Sequence, residues 1–243
     1  MSSFFKNAIR AVLPWKVYWG LKRFREESRA YLSTGDLSRL AEIYKTDKGW
    51  KHNYMPVYLQ WFASLRHKPI RLLEIGVGGY DKPHLGGDSL RMWKSYFRKG
   101  VITGIDIHEK SALSEDRIRI YQGDQSDKNF LREVSEKEGP FDIIIDDGSH
   151  LQSHIITSFE TLFPLMKPGG IYVIEDSQTS YRSSYEGSTS EMDTVQSAMN
   201  YFIQRVHHVN KTVWVKEDLK RELPQDDIGA IAFYHNLIFV KKI

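Results

Sequence analysis

From residue 70 onward, short apolar runs alternate with helix-length patterns, and few folds can absorb that order. "IRLLEIGVG" (70–78) reads as a strand running into a glycine loop, and "SLRMWKSYFRKG" (89–100) as a helix stopped by Gly100. "VITGIDI" (101–107) and "RIRIYQGD" (117–124) are further strands, and "DKNFLREVSEKEG" (127–139) is a helix ending at Gly139. A strand buried on both faces follows at 141–145, then the helix "LQSHIITSFETLFPLM" (151–166) and the strand "IYVIED" (171–176). Strands separated by helices of this length pair in parallel, which predicts an α/β fold with a doubly wound sheet. The end of the chain differs: "IGAIAFYHNLIFVKKI" (228–243) is two strands with only "HN" between them. Two residues can join only antiparallel strands, so the mostly parallel sheet should close on an antiparallel C-terminal hairpin. Residues 1–66 are expected to be an N-terminal helical extension, and residues 67–243 the α/β domain.

Composition removes several classes of function. There is no cysteine among the 243 residues, so thiolate catalysis, cysteine-ligated zinc, iron–sulfur clusters and disulfides are excluded. A net charge of +3 is too small to argue for a nucleic-acid partner. No apolar run approaches the ~20 residues that a bilayer crossing needs. The first 32 residues are mildly basic and amphipathic, but Arg10 and Pro14 interrupt their apolar stretch, which speaks against a signal peptide. They are expected to pack as helices on the body or on a neighbouring subunit, with membrane-surface contact as the alternative. The expected protein is cytoplasmic and a homo-oligomer.

Ligands of such sheets bind beyond the carboxyl ends of the strands. At the end of the first strand, "EIGVGGYD" (74–81) carries glycines at 76, 78 and 79. A dinucleotide site would put its third glycine at 81, but that residue is Asp81, and the next helix starts only near Ser89. The loop instead resembles that of class I S-adenosylmethionine-dependent methyltransferases. In that family an acid ending the second strand holds the ribose hydroxyls, and Asp106 occupies the place; Asp124, after the third strand, matches the adenine contact. Glu74, Gly76, Gly78, Asp106, Asp124 and Gln125 are therefore the candidate donor-binding residues.

The fourth and fifth strands end in acids: Asp146 and Asp147, then His150, on one, and Glu175 and Asp176 on the other. Carboxylates brought together at adjacent strand ends repel unless a cation sits among them. All-oxygen ligation points to Mg²⁺ or another hard divalent ion, whereas zinc would call for more histidine. His150, three residues past Asp147, is placed to act as a general base beside the metal without ligating it. The following segment, 177–193, is polar and carries glycine and serine; it is expected to be a mobile loop over the site, with Tyr181 and Tyr185 facing the ligand, or else a solvated linker.

Together these stretches resemble the metal-dependent macrolide-sugar O-methyltransferases of the mycinamicin and macrocin type, from about residue 40 to 243. The resemblance rests on "LAEIYKTDKGW" (40–50), "LLEIGVGG" (72–79), "SLRMW" (89–93), "GIDIHEKS" (104–111), "GDQSD" (123–127), "IDDGSH" (145–150), "YVIEDSQTSY" (172–181) and "FYHNLIFV" (233–240). It implies Mg²⁺ bound by Asp147, Glu175 and Asp176, with His150 as base. The implied reaction is methyl transfer from S-adenosylmethionine to a hydroxyl of a hexose or deoxyhexose, on a glycosylated natural product or an oligosaccharide. Two other readings of the same residues are a metal-dependent hydrolase and a non-catalytic nucleotide-binding module. Residues 1–40 lie outside the resemblance, where relatives carry a larger N-terminal domain.

Overall fold

Apolar residues at every position of a short run can be buried only if both faces of a strand are covered, and that condition shapes the molecule. The computed structural model of the chain describes residues 15–33, 35–190, 196–210 and 227–243. Before the sheet the described residues form four α-helices: α1 (Trp15–Leu32), α2 (Leu37–Tyr44), α3 (Asp47–Trp50) and α4 (Met55–Phe62). Then follow β1 (Arg71–Ile75), α5 (Asp88–Tyr96), β2 (Val101–Asp106), β3 (Ile118–Gln122), α6 (Lys128–Glu138) and β4 (Ile143–Asp146). The chain continues through α7 (Gln152–Leu162), β5 (Ile171–Glu175), α8 (Ala198–Arg205), β6 (Ile228–Tyr234) and β7 (Leu237–Lys242).

The seven strands form one sheet in the order β3-β2-β1-β4-β5-β7-β6. Strands β1 to β5 pair in parallel, and β7 runs antiparallel to both β5 and β6. The hairpin therefore forms where the two-residue linker required it, with Asn236 in the left-handed conformation at the bend (φ 62°). The fourth strand is shorter at its start than its apolar run suggested. Asp142 lies before it, where its carboxylate accepts from the Arg71 backbone N–H and from Lys167 Nζ, both at 2.7 Å.

The pleat sends alternate side chains to two separate cores. On one face Leu72, Ile143, Ile145, Ile171 and Val173 pack with Leu40, Tyr58, Phe62, Trp93 and Tyr96 from α2, α4 and α5. On the other Leu73, Ile75, Ile144, Tyr172 and Ile174 pack with Leu131, Phe159 and Phe202 from α6, α7 and α8. The helices before the sheet thus share a continuous core with its first face. Among the described residues no helix is long and apolar enough to cross a membrane. Residues 1–14, the start of the amphipathic segment, lie outside the described residues.

Candidate active site

At the carboxyl ends of the strands lies a cavity of about 730 Å³. Its lining includes Gly76, Gly78, Asp106, Asp124, Gln125, Asp147 and His150, so the glycine loop and the acid of β4 open onto one space. The loop can lie this close to β4 only because residue 76 has no side chain. Gly76 takes φ +91°, and a Cβ there would stand 2.1 Å from the Asp147 carbonyl oxygen. The β1–β4 ladder ends in the same place, where the Asp147 N–H donates to the Ile75 carbonyl at 2.9 Å.

Asp106 braces this loop. One carboxylate oxygen accepts from the Val77 N–H at 2.9 Å and the other from the His108 N–H at 2.9 Å. Each oxygen has a second lone pair available to a ligand hydroxyl in the cavity. Asp124 accepts from the Ser126 N–H at 2.8 Å, and that bond holds its carboxyl below the ordinary aspartate range. Gln125 works mainly as scaffold: its Nε2 donates to Asp146 at 3.1 Å and to Ser158 at 3.2 Å, while its Oε1 accepts from the Ser149 N–H at 2.6 Å. Glu74 does not reach the cavity. The pleat points it at the first core face, where its carboxylate is fully buried 3.3 Å from Lys48 Nζ, and burial raises its pKa. Its position gives no support to the donor contact expected of it.

The two adjacent acids of β4 part company for the same reason. Asp146 faces the second core, 1% exposed, and accepts from Gln125, from Tyr172 Oη at 3.3 Å and from the Gly148 N–H at 3.4 Å. Burial pushes its pKa up to about 7, so it is not one of the acids gathered in the cleft. Asp147 faces the other way. Its Oδ2 accepts from Lys48 Nζ at 2.5 Å, and its Oδ1 lies 3.9 Å from His150 Nε2.

A regular strand would send Glu175 and Asp176 to opposite faces, but Asp176 is left-handed (φ 51°), which turns its side chain back toward the cleft. There Asp176 Oδ2 lies 3.9 Å from His150 Nε2, and its Oδ1 accepts from Tyr54 Oη at 2.7 Å. Burial would raise the pKa of Asp176, but the Tyr54 hydrogen bond and the nearby His150 and His52 hold it below the usual range. His150 is also left-handed (φ 59°). One ligand atom each from Asp147, His150 and Asp176 fall within 4.8 Å of one another, a span that a single cation could occupy. Glu175 is 2% exposed and one step deeper; its Oε1 accepts from Tyr58 Oη and pairs with Lys48 Nζ at 2.8 Å. Its other oxygen is the one it has to offer a metal.

The donor set fits a hard divalent ion. Four carboxyl groups, Glu74, Asp147, Glu175 and Asp176, gather around one lysine cation, and burial raises the pKa of Glu74 and Glu175. That surplus favours further positive charge, and oxygen ligands favour Mg²⁺ or a similar ion.

Over 177–190 the segment after β5 forms two short 3₁₀ turns, Ser177–Tyr181 and Ser183–Tyr185. Its serines and glutamate serve hydrogen bonds: Ser180 Oγ donates to Gln152 at 2.9 Å, and Glu186 accepts from the Ser153 N–H at 2.8 Å. The Tyr185 ring meets His150 edge to face at 6.2 Å, while Tyr181 is exposed and makes no such contact among the described residues. The end of the expected loop, 191–193, lies outside those residues. Sequence reasoning missed Lys48, Tyr54 and Tyr58, which reach the acids from α3 and α4. No local pattern in "YKTDKGW" marks Lys48, whose burial appears only once the chain is folded.

A family model described as a methyltransferase domain matches residues 18–177. A *Streptomyces olivaceus* 8-demethyl-8-(2-methoxy-alpha-L-rhamnosyl)-tetracenomycin-C 3'-O-methyltransferase is 53% identical over 86% of this chain and 54% of its own length. The mycinamicin VI 2''-O-methyltransferase of *Micromonospora griseorubida* is 42% identical over 85% of this chain and 52% of its own length. A solved methyltransferase from the mycinamycin biosynthetic pathway, in complex with Mg and SAH, superposes with a TM-score of 0.80 at 42% identity, covering 85% of this chain and 53% of that one. The chain spans about half the length of the curated relatives it matches.

Proposed function

This chain belongs to the methyltransferase-domain family, and on that premise we propose that it transfers a methyl group from S-adenosylmethionine to a sugar hydroxyl with the help of a divalent ion. The observation that carries the reading is one cavity lined by both halves of the chemistry: Gly76, Gly78, Asp106 and Asp124 on one side, Asp147 and His150 on the other. The related enzymes methylate an alpha-L-rhamnosyl tetracenomycin C and mycinamicin VI, which supports a glycoside of a natural product as the acceptor, with an oligosaccharide as the wider class.

When bound, the sulfonium donor supplies the methyl group and a neutral thioether leaving group, and the ion supplies positive charge that makes an acceptor hydroxyl more acidic. The carboxylate of Asp106 accepts hydrogen bonds from the donor's ribose, and the bare glycine loop lets the donor lie against the backbone. Asp147 and Asp176, with the second oxygen of Glu175, hold the ion; Mg²⁺ suits them. His150 accepts the acceptor's proton at Nε2, a role worth typically ~10²–10⁴-fold in rate. Asp147 and Asp176, each 3.9 Å from that nitrogen, stabilise the imidazolium that results. The reading includes a cytoplasmic enzyme that self-associates; the exposed apolar side chains Val17, Leu21 and Phe24 of α1 support a contact with a second copy or a membrane surface.

Incubation with methyl-labelled donor and a panel of glycosides, with and without EDTA, tests the proposal. Label should enter a glycoside only with the divalent ion present. Hydrolysis without label transfer would point to a hydrolase, and donor binding without turnover on any glycoside to a binding module.

A further inference from the structure

The least expected side chain at the site is Lys48, from a four-residue helix far from the sheet in sequence. It is 1% exposed, and its ammonium lies 2.5 Å from Asp147 Oδ2, 2.8 Å from Glu175 Oε1 and 3.3 Å from Glu74 Oε1. An ammonium has three N–H donors and no acceptor: it donates to Asp147 and forms ion pairs with Glu175 and Glu74. Those carboxylates sit at the ends of β4, β5 and β1, three consecutive strands of the sheet. One cation therefore ties three strand ends together. Neither oxygen of Glu74 has a hydrogen-bond partner among the described residues, so its contact with Lys48 is one of charge.

With Asp147, Glu175 and Glu74 all within 3.3 Å of its Nζ, Lys48 is the positive counter-charge of the cluster. Its hold on the acids is selective by atom. Lys48 takes Oδ2 of Asp147 and leaves Oδ1, the oxygen near His150; it shares Oε1 of Glu175 with Tyr58 and leaves Oε2. We propose that Lys48 is a positioning residue, a resident cation that fixes the rotamers of Asp147 and Glu175 and so aims their remaining oxygens at the divalent ion. This rests on the reading of Asp147, Glu175 and Asp176 as the ion's carboxylates. Nothing in the sequence resemblance assigned Lys48 a role.

The test uses the full chain and Mn²⁺ as probe, with calorimetry for affinity and thermal melting for stability. Lys48→Met keeps the length and apolar stem and removes the charge. Electrostatics alone would make it bind Mn²⁺ more tightly, because a repelling cation is gone. A positioning role requires the opposite: affinity should fall 10–100-fold, the usual cost of losing a side chain that orients metal ligands. In chelator the variant should melt about 10 °C below wild type, since buried carboxylates have lost their counter-charge. Adding Glu74→Gln should restore much of that melting temperature but not the Mn²⁺ affinity, which separates charge balance from orientation. If Lys48→Met does not fold, Lys48→Met/Glu74→Gln carries the affinity measurement. Wild-type affinity, or tighter, in either variant overturns the proposal, as does failure of both to fold, which would place the role in the fold alone. A wild-type chain that binds no Mn²⁺ would remove the divalent-ion reading itself, and this inference with it.

Discussion

The glycine loop allows a prediction whose size follows from the geometry. Gly76 and Gly78 both take positive φ, +91° and +77°, yet a methyl group at the two positions meets very different surroundings. At 76 it would stand 2.1 Å from the Asp147 carbonyl oxygen, 2.8 Å from its carbon and 3.1 Å from Gly148 Cα. All three are backbone atoms, held by the β1–β4 ladder, so no side chain can swing aside. Left-handed strain costs about 1–2 kcal/mol, and forced overpacking adds about 1–3 kcal/mol. Gly76→Ala should therefore lose about 2–5 kcal/mol, which in a chain of this size lowers the melting temperature by on the order of 10 °C. At 78 nothing lies within 4 Å, so only the strain remains and the melting temperature should drop by just a few degrees. The space beside Gly78 is the cavity itself, and a methyl group there should cut the affinity for S-adenosylhomocysteine at least ~10-fold, by denying the donor its close approach to the backbone. Differential scanning calorimetry and titration calorimetry on the two variants read both quantities. If Gly76→Ala melts within 2 °C of wild type, or Gly78→Ala binds S-adenosylhomocysteine normally, the account of this loop is wrong.

Three further outcomes are expected. Asp106→Ala should weaken S-adenosylhomocysteine binding by about 1.5–3 kcal/mol, measured by calorimetry, since two ribose hydroxyls lose a charged acceptor; unchanged affinity would remove Asp106 from the site. His150→Ala should keep Mn²⁺ and donor affinity but lose ~10²-fold or more in kcat; loss of the metal with methyl transfer intact at saturating Mg²⁺ would make His150 a ligand instead. Asp146 has a folded pKa of about 7 against an ordinary 3.8, so the folded state holds a proton that the unfolded state has released. Stability from this group is full below pH ~4 and declines as pH rises toward ~7, by up to ~4 kcal/mol; Asp146→Asn should lack that decline, and a melting temperature falling with pH as steeply as in wild type would refute the assignment.

Most of the fold was legible because two periodicities are local. Runs such as "LLEI" and "IYVIE" declare strands buried on both faces, and "HN" admits only a hairpin. The strand-end acids Asp147, Glu175 and Asp176 were legible for a related reason, since parallel strands place their carboxyl ends on one edge. What was not legible depends on direction. A pleat decides that Glu74 faces Lys48 and that Asp146 faces Tyr172, and a one-residue shift in where β4 begins would reverse such an assignment. Lys48, Tyr54 and Tyr58 were missed because their hydrogen-bond partners, Asp147, Asp176 and Glu175, lie at strand ends more than ninety positions away in the chain. In "DKGW" and "MPVYLQWF" nothing local distinguishes a lysine or tyrosine that meets an acid from one that meets water.

The doublet Asp146–Asp147 also shows how a chain can place two acids side by side without setting them against each other. Because the pleat turns them to opposite faces, each meets a different environment. Asp146 is enclosed by donors, Gln125 Nε2, Tyr172 Oη and the Gly148 N–H, and its raised pKa makes it the neutral or half-charged member at ordinary pH. Through Gln125, whose Oε1 takes the Ser149 N–H, it braces the turn that carries His150. Asp147 meets Lys48 with one oxygen while the other faces the cleft. Two charged acids in one cleft would have competed for the same cation. One buried and one half-buried acid divide the work: the first fixes where the turn runs, and the second presents its carboxylate to the cleft.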